Sequence, residues 1–363
     1  MPVRPYAPLV VVLVLAACTG PAHTPDPEPA VVWTRAELPG PPGRLAVRDA
    51  IDCGGRWYVV GAVLGAEGAT RPAGWASTDG RTWRSLTFVP LAGSYYGPQD
   101  VISSVGCANG TVAMVGAKPG GAHGNPRVST WRQRADGVLV EVAASFETYG
   151  GDRAVNVAHI VGGPRGFLIT GNRTSGAAVW LSPDGTAFRL SENAPGLAND
   201  ATTQTLARDA APAADGQWVV VGAAAPKGSL DQAPAIWLGD NWQRATVQSG
   251  GGYNELQRAA RVGDDVVAIG PRGSAFGAWI GRGTTWTEAG TFGSAAGTVL
   301  SLTAAGQTLL ALVRIGPDST LWRSVDHARS WRQVPVPTGG TAVAGRTGTA
   351  LLAADGEVWT ARL

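Results

Sequence analysis

Ala73-Gly74-Trp75-Ala76-Ser77 recurs, in altered form, six more times along this chain. The further copies are Ser129-Thr130-Trp131, Ala178-Val179-Trp180-Leu181-Ser182, Ala235-Ile236-Trp237-Leu238-Gly239, Gly277-Ala278-Trp279-Ile280-Gly281, Thr320-Leu321-Trp322-Arg323-Ser324 and Glu357-Val358-Trp359. Each is an apolar or small residue, a tryptophan and a short polar turn, and successive indoles stand 37–57 residues apart. A repeat of roughly 40–50 residues made of strands and turns indicates a β-propeller, one four-stranded blade per repeat. Seven copies predict an all-β, seven-bladed ring over residues 31–363.

Within each repeat the second strand is the most apolar. Arg56-Trp57-Tyr58-Val59-Val60-Gly61 and Gln217-Trp218-Val219-Val220-Val221-Gly222 are examples. Such unbroken runs suit strands buried on both faces, as sheets stacked around an axis must be. Aromatic residues Trp83, Phe188, Trp242, Trp286 and Trp331 mark the fourth strands. The last repeat stops after its third strand, and Val32-Trp33-Thr34-Arg35-Ala36-Glu37-Leu38 resembles the missing one. The N-terminal strand is therefore expected to complete the seventh blade, which removes two exposed sheet edges.

Composition agrees and excludes some functions. The chain is 15% charged and 44% hydrophobic, with 51 Gly and 25 Pro among 363 residues, as short strands and many tight turns require. Net charge is +2 and only Lys118 and Lys227 are lysines, so no basic stripe for nucleic acid exists. The four histidines, at 23, 123, 159 and 327, lack metal-ligand spacing. No cofactor or metal is expected, and the protein is expected to act as a monomer. His159 is placed on a first strand near the axis, as a packing residue rather than a catalytic one.

The N-terminus reads as an export signal. Arg4 precedes nine apolar residues, Leu9 to Ala17, and Leu15-Ala16-Ala17-Cys18 resembles a bacterial lipobox. That run is too short for a bilayer span, which needs ~20 residues. Residues 1–17 are expected to be a lipoprotein signal peptide, Cys18 the lipidated N-terminus, and residues 18–30 a Pro-rich tether; an ordinary secretory signal cleaved after small residues, with Cys18 incidental, is the alternative. The location is then extracytoplasmic, with a lipid anchor in the membrane. Cys53 and Cys107 each end the first strand of their blades, so a disulfide between blades 1 and 2 is geometrically open to them; two buried free thiols are the alternative.

Ser77-Thr78-Asp79-Gly80-Arg81-Thr82-Trp83 and Ser324-Val325-Asp326-His327-Ala328-Arg329-Ser330-Trp331 resemble the Asp-box (BNR) repeat, Ser-x-Asp-x-Gly-x-Thr-Trp. Weaker copies stand at residues 182–188 and 239–242. The chain is thus similar to the Asp-box propellers, among them sialidases, xyloglucan hydrolases, sortilin-type receptors and photosystem assembly factors. The resemblance implies a structural role for the box, with Asp and Ser oxygens taking backbone N–H groups in the turn. It would imply sialidase activity only with an arginine triad, an Arg-Ile-Pro segment near the first blade and a Tyr–Glu nucleophile pair. Arg314-Ile315-Gly316-Pro317 carries an extra Gly and lies in blade 6, and no catalytic residue is assigned.

The loops entering blades 2, 3 and 5 each carry tyrosine beside glycine, with polar residues following. Tyr95, Tyr96, Asp100, Tyr149, Asp152, Arg153, Tyr253 and Glu255 are the candidate ligand-binding residues. Tyrosine offers flat apolar area and a hydroxyl, suited to sugars or extended peptides. The alternative is that these tyrosines only shape turns. The leading expectation is a binding module for a protein or cell-surface glycan; the second is a sialidase-like glycoside hydrolase or lyase working from the same face.

Overall fold

The computed structural model describes residue 1 and residues 31–41, 43–118, 120, 126–250 and 252–363. The leader beyond Met1, Cys18, the tether and residues 121–125 with His123 lie outside the described residues.

Residues 31–363 form a seven-bladed, all-β propeller. The innermost strands a are Arg44–Cys53, Val101–Ala108, Ala154–Gly163, Thr203–Pro212, Arg258–Val262, Thr298–Ala305 and Ala342–Arg346. Each packs against the next, and the seventh returns to the first. Strands b, c and d follow outward in every sheet, and all seven repeat tryptophans fall on strands c. The last sheet is completed by Trp33–Glu37, antiparallel to Glu357–Arg362, as the N-terminal strand is expected to do. The sheets of blades 2 and 5 have a fifth strand. Phe88–Val89 and Thr246–Val247, on their way from the preceding blade, pair in parallel with the outer edge of the next one. These additions cover edges that would otherwise face solvent.

The hydrophobic core divides into seven clusters, each between two neighbouring sheets. Strand alternation does this. Trp57, Val59 and Val63 of blade 1 face blade 7, while Tyr58 and Val60 face blade 2. The strand-c indoles also reach beyond their sheets. Trp75 donates to the Pro39 carbonyl at 2.6 Å, Trp237 to Gly196 at 2.6 Å and Trp279 to Gln248 at 3.1 Å. Each acceptor lies on the connection entering the same blade, so one ring both fills the core and pins an upper loop.

A second set of contacts closes the inner ring. Strands a of blades 1, 2, 3, 4 and 6 carry bulges, and in every blade, bulged or not, one strand-a N–H bonds outside its own ladder. Side chains of the preceding blade supply acceptors. Asp49 takes the Val105 N–H (2.9 Å), Ser104 that of Ile160 (3.1 Å), Asn172 that of Ala207 (2.9 Å) and Asp209 that of Ala259 (3.0 Å). Gln257 takes Val299 (2.8 Å), Ser301 takes Val343 (3.4 Å) and Asp355 takes Val47 (2.9 Å). Every blade junction is joined this way. Cys53 and Cys107 add a covalent link between the lower ends of strands a in blades 1 and 2, with Cα atoms 5.6 Å apart.

The c–d turns have the hydrogen bonding that their Ser and Asp residues suggest. Asp79 Oδ1 accepts the N–H groups of Arg81 and Thr82 at 2.8 Å, and Ser77 Oγ accepts that of Gly80 at 2.9 Å. In blade 6, Asp326 and Ser324 repeat the pattern with Ser330 and Ala328.

Candidate functional site

The upper face, which carries the d–a and b–c connections, has a cleft at the mouth of the axis beside blades 4, 5 and 6. Its volume is about 530 Å³, and Arg208, Tyr253, Glu255, Gln257 and Arg258 supply its polar wall. The wall is built by the segment entering blade 5. Glu255 N–H bonds the Pro271 carbonyl (3.1 Å), Leu256 N–H that of Gly222 in blade 4 (3.1 Å) and Gln257 N–H that of Ile269 (2.8 Å). This close approach needs glycine beneath it, because a Cβ on Gly270 would stand 2.0 Å from the Glu255 carbonyl oxygen.

Glu255 is the hub. Its side chain is buried, and Oε2 accepts from the Tyr253 hydroxyl at 3.0 Å and from Arg208 Nη2 at 3.1 Å. Oε1 accepts from Gln257 Nε2 at 2.7 Å. Arg258 donates from Nε to the Leu300 carbonyl at 2.9 Å, tying the wall to blade 6. Arg208 Nε is buried without a hydrogen-bond partner. The half-exposed phenol of Tyr253 has its pKa raised by burial and by the charge of Glu255, so it stays protonated and donates.

Arg258 also borders a narrower cavity of about 170 Å³ on the axis itself. There His159 stands between two carboxylates, 2.7 Å from Asp209 through Nδ1 and 3.5 Å from Asp49 through Nε2. Burial alone would lower the imidazole pKa. The charge of Asp209 and hydrogen bonds to Asp209 and Asp49 outweigh it, raising the pKa to about 9. Burial likewise opposes ionisation of Asp209, but His159, then Arg258, draws its pKa below the usual carboxylate value. The result is an imidazolium clamp joining blades 1, 3 and 4 across the channel. His159 thus sits on a strand a at the axis, where the sequence places it, with a holding role.

The eight candidates from the sequence do not form one rim. Tyr253 and Glu255 belong to the cleft. Tyr96 and Tyr149 line a different cavity, between blades 2 and 3, which shares no lining residue with the first. Tyr149 is buried, tilted against Trp180 and bonded to Thr130 Oγ1, so it packs rather than presents a face. Tyr95 is exposed and leans edge-on to Tyr96. Asp100 is 0% exposed and accepts from Trp131 Nε1 at 3.0 Å, and burial pushes its carboxyl up to about 7. It holds the core indole and lines neither cavity. Asp152 is exposed, and Arg153 pairs with Glu192 at 3.2 Å. The sequence alone does not disclose the hydrogen-bonding roles of Asp49, Asp209 and Gln257, nor the places of Arg208 and Arg258 in the cleft wall. One signal was present: Arg-Asp-Ala stands at 48–50 and again at 208–210, in the same place on strand a of blades 1 and 4.

No protein-family model matches the chain, and no curated protein matches it in sequence. Solved structures share its fold. YCF48 from Cyanidioschyzon merolae is 13% identical with a TM-score of 0.53, over 91% of this chain and 98% of that one. The acylaminoacyl peptidase of Pyrococcus horikoshii is 8% identical with a TM-score of 0.52, over 88% of this chain and 52% of that one. The β-propeller domain of the Trilobed protease from Pyrococcus furiosus is 8% identical with a TM-score of 0.50, covering 85% and 91%. That domain has an open velcro topology, whereas here the N-terminal strand closes the last sheet. At these identities the likeness is one of fold.

Proposed function

We propose that this chain is an extracytoplasmic lipoprotein, anchored through Cys18, whose monomeric propeller binds a cell-surface glycan in the cleft at the channel mouth. On this reading the c–d turns of blades 1, 3 and 6 are Asp-box variants, and residues 18–30 hold the ring away from the membrane. The observation that carries the proposal is the cleft wall itself. Arg208, Tyr253, Glu255, Gln257 and Arg258 converge from two blades on one cavity, giving charged donors, an amide and a half-exposed aromatic platform. Such a mixture suits a ring with many hydroxyls.

A glycoside hydrolase or lyase is the second reading. The Tyr253–Glu255 hydrogen bond beside Arg208 favours it, since sialidases pair Tyr with Glu. Two features favour binding. Glu255 is the single carboxylate among the residues lining the cleft, whereas most glycosidases use two. The Tyr253 phenol is also held protonated, the wrong direction for a nucleophile.

A glycan array probed with the full chain tests both. The proposal expects retained glycans, affinity reduced about tenfold in Arg208→Gln by loss of a charge-assisted donor, and bound glycans recovered intact. An array without Arg208-dependent ligands would contradict it. Glycans recovered cleaved, with cleavage lost in Tyr253→Phe, would establish the second reading instead.

A further inference from the structure

The cavity between blades 2 and 3 lies apart from the cleft and has a different chemistry. It measures about 400 Å³ and is lined by Tyr96, Arg127, Glu141, Phe146 and their neighbours. Arg127 is held between two rings, its guanidinium carbon 5.8 Å from the Tyr96 centroid and 5.0 Å from that of Phe146. Its Nε is buried without a hydrogen-bond partner, and no carboxylate among the described residues pairs with it. Stacking orients the planar group while leaving its donors free, an arrangement that recognises a carboxylate in two-point fashion.

The serine and threonine hydroxyls around Arg127 are already engaged. Ser94 Oγ bonds Glu141 at 2.8 Å, Ser129 Oγ bonds Glu141 at 3.3 Å, and Ser145 and Thr148 bond each other at 3.0 Å. Tyr149 donates to Thr130. Beyond Arg127 itself and the Tyr96 hydroxyl, little hydrogen-bonding capacity remains for a sugar. Apolar surface remains instead: Tyr95 is 71% exposed, Phe146 59% and Leu91 41%. Aromatic residues and arginine gathered this way are characteristic of protein interfaces.

We propose that this shelf is a second binding surface, independent of the cleft, that takes a protein segment presenting a carboxylate beside an aromatic side chain. The carboxylate meets Arg127, and the apolar side chain lies on Phe146 and Tyr95.

The test measures binding of the full chain to acetyl-Phe-Glu-Phe-amide, acetyl-Phe-Gln-Phe-amide and glucuronic acid by NMR shift titration. The proposal expects the Glu peptide to bind about tenfold more tightly than the Gln peptide, as a charge-assisted pair allows. Arg127→Gln should remove that preference and Arg127→Lys restore part of it, while Arg208→Gln leaves it unchanged. The last variant separates this surface from the cleft. Equal binding of the two peptides, an undiminished preference in Arg127→Gln, or glucuronic acid binding as well as the Glu peptide would overturn the proposal. If Arg127→Gln does not fold, the exposed Phe146→Ser must weaken the Glu peptide several-fold, and unchanged binding there overturns it equally.

Discussion

At the scale of single residues, His159 shows how a polar group at the axis serves the ring. Its pKa rises from 6.5 to about 9 in the folded protein. A raised pKa adds stability that is fully present below about 6.5 and disappears as pH climbs through about 9. The charging contribution is roughly 2–3 kcal/mol at neutral pH. Melting temperatures of the native protein should therefore fall between pH 7 and 10 more steeply than those of His159→Gln. Parallel curves would mean that the clamp does not hold blades 1, 3 and 4 together. Gly222 makes a comparable point about backbone. A Cβ there would stand 1.8 Å from the Leu206 carbonyl oxygen, where strand a bulges toward strand b. The glycine ending the apolar run, plain in the sequence, marks the bulge that frees a ladder N–H for the neighbouring blade.

At the scale of elements, the repeats were legible because their cause is local. Trp75, Trp131 and Trp180 recur because each strand c must fill one gap between sheets, and that demand leaves the same short pattern each time. Ring closure was legible for the same reason, from Trp33 and its flanking residues. Its test is deletion of residues 31–38. This removes five paired positions opposite Glu357–Arg362, together with Leu38 from the core. A loss of roughly 2–5 kcal/mol is expected from the buried apolar groups alone, read as a lower melting temperature; an unchanged value would contradict the closure. The loops were less legible. Tyr149 and Tyr253 both sit near glycine on connections entering their blades, yet one is buried against Trp180 and the other stands over the cleft. Which outcome occurs depends on what the surrounding strands offer, and that partner lies about thirty residues away in the cases of Tyr149 and Asp100. Asp100 is the sharpest instance: its role is set by Trp131, on the third strand of its own blade.

At the scale of the whole molecule, the ring is nearly regular and its upper face is not. All seven junctions are bridged by a side chain that accepts an N–H from the next blade. The charged groups at the axis gather on a few blades, with Arg208, Glu255 and Arg258 concentrated at blades 4 and 5. That asymmetry is what turns a symmetric scaffold into a site with one orientation for its ligand. Hydrogen–deuterium exchange of the full chain, with and without a glycan retained on the array, tests this most directly. Slowed exchange is expected at residues 252–258 and around Arg208, with the c–d turns of the lower face unchanged. Protection confined to the lower face, or none at the segment entering blade 5, would contradict it.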